Sequence, residues 1–178
     1  RNGTVAGTTL IASPLSGGTR NGQALSFDGV DDRIDVPFAA ALNPTESFSV
    51  EFWARVDGGA GTTRGAVTAR DSVSAGASLT GFFVHAAADN TWTFGTGGGT
   101  ASPFLTKGPA VVTGQWTHVV ATFQPHSLSV DGNGALTGIA SLYINGELAA
   151  SSTANYKPNT ARVTRLGGSG TEGTASGF

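Results

Sequence analysis

The chain has 178 residues, a formal net charge of −2 and 39% apolar residues, which is enough for one domain with a buried core. Only 12% of its residues are charged and no basic stripe occurs, so the sequence offers no electrostatic basis for nucleic-acid binding. The absence of cysteine excludes a disulfide framework and a thiolate metal site. No apolar run approaches the ~20 residues that a membrane-spanning helix needs.

The first quarter of the chain consists of short extended segments separated by turns. Residues 8–12 predict a strand, and a loop around Pro14 follows. Residues 25–27 alternate in polarity and stop at the turn dipeptide Asp28-Gly29. Residues 33–36 alternate again, and residues 39–42 predict one helical turn that is closed by Asn43-Pro44.

The clearest strand is predicted over residues 48–56, where apolar and polar side chains alternate strictly. The apolar set, which we expect to face the core, is Phe48, Val50, Phe52, Ala54 and Val56. The opposite face carries Ser49, Glu51, Trp53 and Arg55. One bulky aromatic residue among polar groups predicts that Trp53 is either covered by a loop or open to a ligand.

The rest of the chain repeats the pattern of short strands and turns. Strands are predicted over residues 66–70, 81–85, 91–95, 116–123, 141–145, 147–150 and 161–166, with a loop over 97–107 and a glycine-rich insertion over 127–137. Asn145-Gly146 lies between two alternating apolar runs, which indicates a hairpin with a type I′ turn. About ten short strands without substantial helix predict one all-β domain over residues 1–178, an antiparallel two-sheet sandwich of the jelly-roll type.

Five of these segments, in this order, resemble the laminin-G-like domains of the concanavalin A-like lectin/glucanase superfamily, in their bacterial LamG form. The segments are Asn2-Gly3-Thr4-Val5, Gln23-Ala24-Leu25-Ser26-Phe27-Asp28-Gly29-Val30-Asp31-Asp32, Phe48-Ser49-Val50-Glu51-Phe52-Trp53, Gln115-Trp116-Thr117-His118-Val119-Val120-Ala121-Thr122 and Leu142-Tyr143-Ile144-Asn145-Gly146. The resemblance covers nearly the whole chain. It implies two curved antiparallel sheets packed face to face.

The chain also departs from the pattern of that family. Members usually begin with a strand of the type W-x-F-D/E and end with G-x-I-D-E-V-R-I-Y, and neither motif occurs here. Those two strands usually lie side by side in one sheet, so the resemblance implies a sandwich that lacks the family's first and last strands. The chain is then either a fragment of a larger protein or a unit whose sheet edge is completed by neighbouring chains or domains.

Three carboxylates in a turn, Asp28, Asp31 and Asp32, are the candidate metal ligands. Oxygen ligands on a flexible turn suit a hard cation, and members of the family often bind one structural Ca²⁺ near the rim of the sandwich. The alternative is a plain turn with solvated carboxylates. Asp131 and Asn133, in a second glycine-rich loop, are a weaker calcium candidate.

Exposed aromatic rings with polar neighbours would suit sugar recognition, because the C–H faces of sugars stack on aromatic rings. The candidates for such a site are Trp53, Trp92, Phe94 and Tyr156, with Asn90 and His85 close to Trp92 in sequence. The alternative for any one of the tryptophans is core packing. We assign Trp116 and Phe52 to the core, and His118 holds a structural position in the family.

The sequence gives no support to catalysis. The glucanases that share the fold align two carboxylates ~5 Å apart with an E-x-D-x-x-E strand, and that spacing is absent. Glu46 and Glu51 are five residues apart and would point to opposite faces of a strand. Motifs for nucleophilic, metalloprotease or phosphate-binding chemistry are also missing.

Three functions remain open from the sequence alone. The first is a non-catalytic extracellular module that binds a glycan or an extracellular protein. The second is a structural building block of a surface filament, matrix or virion, and the third is an accessory domain of a secreted glycoside hydrolase or protease. The low charge and the Thr, Ser and Gly content favour a secreted or cell-surface location.

Overall fold

The structure is a computed structural model that describes residues 3–12, 22–71 and 78–168. These ranges contain thirteen strands and one 3-10 turn, Ala40–Leu42, where the sequence predicts a helical turn. The all-β prediction is therefore confirmed. Asn2, the loop predicted around Pro14 and the glycine-rich stretch over residues 169–178 lie outside the described residues.

The described strands form one seven-stranded, one four-stranded and one two-stranded antiparallel sheet. The seven-stranded sheet has the spatial order β1 (Thr4–Ala6), β4 (Arg33–Val36), β13 (Thr164–Leu166), β6 (Arg64–Asp71), β7 (Leu79–Ala86), β8 (Thr91–Thr100) and β9 (Phe104–Ala110). The four-stranded sheet has the order β12 (Glu147–Tyr156), β11 (Leu136–Ile144), β10 (Trp116–Val130) and β5 (Phe48–Arg55). The third sheet pairs β2 (Thr9–Ala12) with β3 (Gln23–Ser26).

The core lies between the seven-stranded and four-stranded sheets, and alternation in β5 builds one side of it. The Phe48 ring contacts Phe82 and Tyr156 with centroid separations of 5.0 and 4.9 Å, and Phe123 at 5.9 Å. Tilted ring pairs at these distances stabilise a core beyond the effect of area burial alone. Val50 and Phe52 also pack against the buried cluster, which confirms the predicted inward face of β5.

Residues 97–107, predicted as a loop, are mostly strand, because β8 runs through them to Thr100 and β9 begins at Phe104. The glycines of β8 leave room for atoms of the neighbouring strand. A Cβ on Gly95 would overlap the Phe83 ring, and one on Gly97 would overlap the backbone of Leu79. Clustered glycines therefore do not indicate a loop here, because they lie in a strand where neighbouring atoms occupy the space of a side chain.

β2 and β3 pair with each other as a separate hairpin and do not belong to the seven-stranded sheet. β2 follows β1 after Gly7, which has a φ of 78°, and β3 leads into β4 through the turn at residues 27–32. β5 is an edge strand of the four-stranded sheet, and its residues line one cleft together with residues of this hairpin. This gap between a sheet edge and a hairpin positions the candidate site.

Asn145 and Gly146 form the predicted hairpin turn, with φ values of 53° and 89°. A β-branched side chain is strained at such a positive φ, so we expect Gly146→Val to lower the free energy of unfolding by about 1–2 kcal/mol. Gly132→Val is the matched control, because both glycines have open space around them and only Gly146 has a positive φ. Chemical denaturation of the two variants measures the difference, and equal stabilities would contradict a type I′ turn.

Candidate ligand-binding surface and cleft

Five side chains form a polar and aromatic patch on the outer face of β5 and β10, which we call the aromatic surface: Glu51, Trp53, Arg55, Trp116 and His118. Antiparallel register places Trp53 opposite His118 and Arg55 opposite Trp116. The Trp53 and His118 rings stack with centroids 5.0 Å apart and an interplanar angle of 27°. The His118 Nε2 atom lies 2.9 Å from the Glu51 Oε1 atom, so the imidazole is held from two sides.

A second interaction orders the other half of the aromatic surface. Arg55 donates to the Asp57 carboxylate from Nε and from Nη2, each at 2.9 Å, and its guanidinium lies 5.6 Å from the centre of the Trp116 ring. The hydrogen bonds and charge of Asp57 raise the pKa of Arg55.

The prediction that Trp116 is a core residue is wrong, because the inward positions of β10 are Thr117 and Val119 and Trp116 faces outward.

Beside the aromatic surface, a cleft of about 580 Å³ separates β5 from the β2–β3 hairpin. One wall is formed by residues 52–59 and the other by residues 24–29. Ala66 and Val67 of β6 and Leu166 of β13 line the cleft on the side of the seven-stranded sheet, and we call these three residues its floor. A volume of this size lies in the range of ligand sites in proteins.

Arg64 closes one end of the cleft and ties two loops together. It is 5% exposed, and its guanidinium donates to the carbonyls of Gly58 and Ala87 at 2.8 and 2.9 Å and to the Asn90 Oδ1 atom at 3.1 Å. Burial lowers the pKa of Arg64. The hydrogen bonds fix the β5–β6 loop against the β7–β8 turn, so this end of the cleft wall is rigidly supported.

The candidate metal ligands Asp28, Asp31 and Asp32 lie together at the hairpin end of the cleft, each offering a carboxylate oxygen within 4.8 Å of the others. Their hydrogen bonds also fold the turn. Asp28 Oδ1 accepts from the Val30 N–H at 2.8 Å, and Asp32 Oδ2 accepts from the Asp28 N–H at 2.9 Å. The Val30 hydrogen bond is the main cause that lowers the pKa of Asp28. Three carboxylates this close together are suited to Ca²⁺, which prefers oxygen ligands.

The second calcium candidate is not brought into a cluster with other acidic side chains in the described part of the chain. Asp131 Oδ1 accepts from the backbone N–H groups of Asn133 and Ala135 at 2.8 and 2.9 Å, and its Oδ2 accepts from Asn155 Nδ2 at 3.0 Å. Both carboxylate oxygens of Asp131 therefore accept hydrogen bonds that close the β10–β11 turn.

Three of the predicted stacking residues are buried in the core. Trp92 is 1% exposed, and Phe94 and Tyr156 are fully buried. The prediction that they offer ring faces to a ligand is wrong, because their strand positions point between the sheets, where Phe94 and Tyr156 pack on Phe48 and Trp92 packs on Phe52. Trp53 differs in facing outward, with 41% of its surface exposed.

Asn90 and His85, predicted as polar partners of Trp92, have other positions. Asn90 has a φ of 61°, accepts from Arg64 and donates from Nδ2 to the Val111 carbonyl at 3.2 Å, so it shapes a turn. His85 lies on the outer face of the seven-stranded sheet, with its ring stacked on Phe83 at 4.9 Å. Neither side chain joins the aromatic surface. Sequence reasoning missed Glu51, whose pairing with His118 depends on strand register, and the pair Arg55 and Asp57, which forms where β5 ends.

A model of the concanavalin A-like lectin/glucanases superfamily (Laminin_G_3) matches residues 27–178. The chain belongs to this superfamily. The resemblance to this superfamily is thereby confirmed, and the lectin-like domain has the sandwich that the resemblance implied. No curated protein sequence matches the chain.

Two solved structures resemble the lectin-like domain in fold. The binding domain of botulinum neurotoxin serotype C1 matches with a TM-score of 0.53 and 16% identity over 92% of this chain and 37% of that one. The enzymatically active domain of tailspike protein 2 from bacteriophage CBA120 matches with a TM-score of 0.57 and 12% identity over 99% of this chain and 27% of that one. The chain thus spans about a third or less of each neighbour, and these identities establish the fold alone.

The lectin-like domain carries no helix, within its described ranges, that is long and apolar enough to cross a membrane. The candidate binding regions are the aromatic surface and the neighbouring cleft. Both lie along β5, the strand whose alternation the sequence reveals best.

Burial, and secondarily the charge of Arg70, lower the pKa of His85 to about 4 from an ordinary 6.5. Between these values the unfolded chain binds a proton that the folded domain does not, so the free energy of unfolding falls as the pH drops from 6.5 towards 4. His85→Gln should reduce this loss, whereas His126→Gln, at an exposed position of β10, should leave it unchanged. Melting temperatures measured from pH 7.5 to 4.5 test this. Equal pH dependence in all three proteins would contradict a half-buried His85 that stays neutral in the folded domain.

Proposed function

We propose that this lectin-like domain is a non-catalytic recognition module that binds a glycan on its aromatic surface. The observation that carries the proposal is the position of Trp53, which is 41% exposed on a rigid strand, with its ring orientation fixed by His118. Ordered, exposed aromatic rings supply the apolar contact that sugar C–H faces require. Because Trp53 is already held in place, binding would cost little side-chain entropy.

The neighbours of Trp53 supply the polar contacts that a sugar also needs. The Glu51 carboxylate is largely exposed and accepts from His118 through one oxygen, and the exposed Asp57 carboxylate lies beside Arg55. Carboxylates and guanidiniums at the edge of an aromatic ring can bind the vicinal hydroxyls of a sugar. This combination of one ring and flanking charged groups favours a shallow site for one or two sugar units.

The lowered pKa of Asp28 supports recognition without hydrolysis, because it does not suit a glycosidase acid. Carboxylates as close as those of Asp28, Asp31 and Asp32 could in principle form a glycosidase pair. A glycosidase acid, however, needs a raised pKa so that it holds its proton at neutral pH. The backbone hydrogen bond from Val30 lowers the pKa of Asp28, which instead favours a permanent anion.

We further infer that one structural Ca²⁺ binds between Asp28, Asp31 and Asp32. The ion would offset the repulsion between three carboxylates and would fix the turn that connects β3 to β4. That turn also forms the hairpin wall of the cleft, through Phe27, Asp28 and Gly29. Calcium would thus stabilise the rim of the binding region and take no part in chemistry.

The location and wider role of the domain are part of the same proposal. A glycan-binding module acts outside the cell, on secreted or surface polysaccharides or glycoproteins, so we infer a secreted or cell-surface protein. One structural neighbour, from botulinum neurotoxin serotype C1, is itself a binding domain, which agrees with a recognition role. Extracellular protein partners that carry glycans would use the same surface.

A glycan array probed with the labelled domain, followed by calorimetry on the best ligand, tests the main proposal. Trp53→Ala should weaken binding at least tenfold, about 1.4 kcal/mol, because it removes the stacking face. Leu148→Ala is the matched control, since Leu148 is an exposed apolar residue of β12 at the other edge of the same sheet. Absence of any array ligand, or equal effects of the two variants, would contradict glycan recognition through Trp53.

Calcium binding has a separate test in the metal-stripped protein. Ca²⁺ at a hundredfold excess over its Kd should stabilise the fold by about 2.7 kcal/mol, and raise Tm by roughly 5–10 °C for a domain of this size. Asp28→Asn retains an oxygen that can accept from the Val30 N–H, but it removes the negative charge and should abolish most of this shift. Asp131→Asn, at the other acidic turn, should retain it. A Tm that does not respond to Ca²⁺ in the parent protein would exclude the site.

A further inference from the structure

The outer face of the four-stranded sheet continues beyond the aromatic surface. Pairing of β5 with β10 places Glu51 opposite Val120 and Ser49 opposite Thr122, and pairing of β10 with β11 places Tyr143 opposite Val120. Because alternate residues of a strand lie on the same face, these side chains are on the same side of the sheet as the aromatic surface. A ligand held at one end of this face can therefore extend along it.

A second cavity, of about 580 Å³, lies further along this face, and we call it the hydroxyl groove. None of the described residues that line it carries a charge. Its polar lining consists of the hydroxyl and amide side chains of Ser47, Ser49, Thr122, Gln124, Ser141 and Tyr143. The groove therefore differs from the aromatic surface, where charged side chains surround the rings.

The hydroxyl groove offers hydrogen-bonding groups that the protein itself leaves unused. In the described part of the chain, the side chains of Ser49, Thr122 and Gln124 have no hydrogen-bond partner, whereas the Ser141 Oγ atom lies 3.1 Å from the Ser151 Oγ atom. Hydroxyl and amide groups can both donate and accept hydrogen bonds. Such a lining complements an uncharged ligand that is itself rich in hydroxyl groups.

Glu51 lies between Trp53 and the hydroxyl groove, and its charge restricts which ligands can pass. Its side chain is 67% exposed, and one carboxylate oxygen lies 2.9 Å from the His118 Nε2 atom. Arg55, on the same face of β5, is already paired with Asp57 through two hydrogen bonds of 2.9 Å. The Glu51 carboxylate can accept from a sugar hydroxyl, but it repels a carboxylate or sulfate group on the ligand.

We propose that the ligand is an uncharged glycan chain that stacks on Trp53, passes Glu51 and forms hydrogen bonds in the hydroxyl groove. The inference rests on the proposed glycan recognition and names the class of glycan. Trp53 and Ser49 are four residues apart in β5, which corresponds to about 14 Å, a distance longer than one sugar ring. The bound stretch therefore contains about three or more consecutive sugar units. Neutral polysaccharides have such stretches, whereas uronate-rich or sulfated chains would meet Glu51.

The test measures calorimetric affinities of the full 178-residue chain for two series of oligosaccharides. The neutral series contains oligomers of glucose, mannose and galactose up to the hexasaccharide. The acidic series contains the matching oligomers of glucuronic, mannuronic and galacturonic acid. The best neutral hexasaccharide should bind about tenfold or more tightly than its disaccharide, because only the longer chain reaches the hydroxyl groove. It should also bind about tenfold or more tightly than its acidic counterpart, because of repulsion from Glu51.

Three variants separate the contributions of the two regions. Thr122→Val keeps the shape of the side chain and removes its hydroxyl, so it should weaken hexasaccharide binding about three- to tenfold and leave disaccharide binding unchanged. Thr153→Val is the matched control, because Thr153 is exposed on the same face of the same sheet and does not line the groove. Glu51→Gln should raise the affinity for acidic hexasaccharides relative to neutral ones about threefold or more.

The results that would overturn this inference differ from those that would overturn glycan recognition itself. Equal affinities for disaccharide and hexasaccharide, or equal effects of Thr122→Val and Thr153→Val, would exclude the hydroxyl groove from the site. Acidic oligomers that bind as tightly as neutral ones would exclude selection by Glu51. In both cases, binding that still depends on Trp53 would leave the proposed function standing. Array ligands without affinity for any neutral oligomer would overturn the inference alone, and an empty array would remove both proposals.

Discussion

The packing of aromatic rings between the two layers, centred on Phe48, is the interaction on which the rest of the domain depends. Phe48 comes from the four-stranded sheet and contacts Phe82 and Phe94 of the opposite layer, as well as Phe123 and Tyr156 of its own. Burial of each large side chain contributes about 1.5–3 kcal/mol relative to leaving it exposed. Because these rings fix how the layers face one another, they also fix which side chains of β5 point outward.

The candidate site follows from that orientation. Once Phe48, Phe52 and Ala54 point inward, Glu51, Trp53 and Arg55 must point to solvent, and pairing with β10 supplies His118 beside Trp53. The seven-stranded layer is wider than the four-stranded sheet, so Ala66 and Val67 of β6 and Leu166 of β13 lie beside β5 and form the floor of the cleft. The aromatic surface and the cleft thus have one origin, the difference in width between the two layers that share the core.

The sequence predicts the fold well and the site only in part, for a physical reason. Alternation is a local property, so the strands, the outward position of Trp53 and the hairpin at Asn145-Gly146 can be read directly. Alternation does not indicate which face of a strand points to the core when both faces carry aromatic residues. The prediction for Trp116 therefore falls on the wrong face, because β10 carries Trp116 on one face and Phe123 on the other. Partners such as Asp57 for Arg55 depend on turn geometry, which the sequence pattern does not encode.

Arg64 has a consequence for anyone who would redesign the specificity of this domain. One guanidinium holds Gly58 in one loop and Ala87 and Asn90 in another, so the two loops share a single anchor. A library that randomises both loops together with Arg64 would lose this anchor in most of its members. Diversification that spares Arg64 and Asn90, and varies exposed neighbours such as Thr62, keeps the scaffold intact while new chemistry is tried.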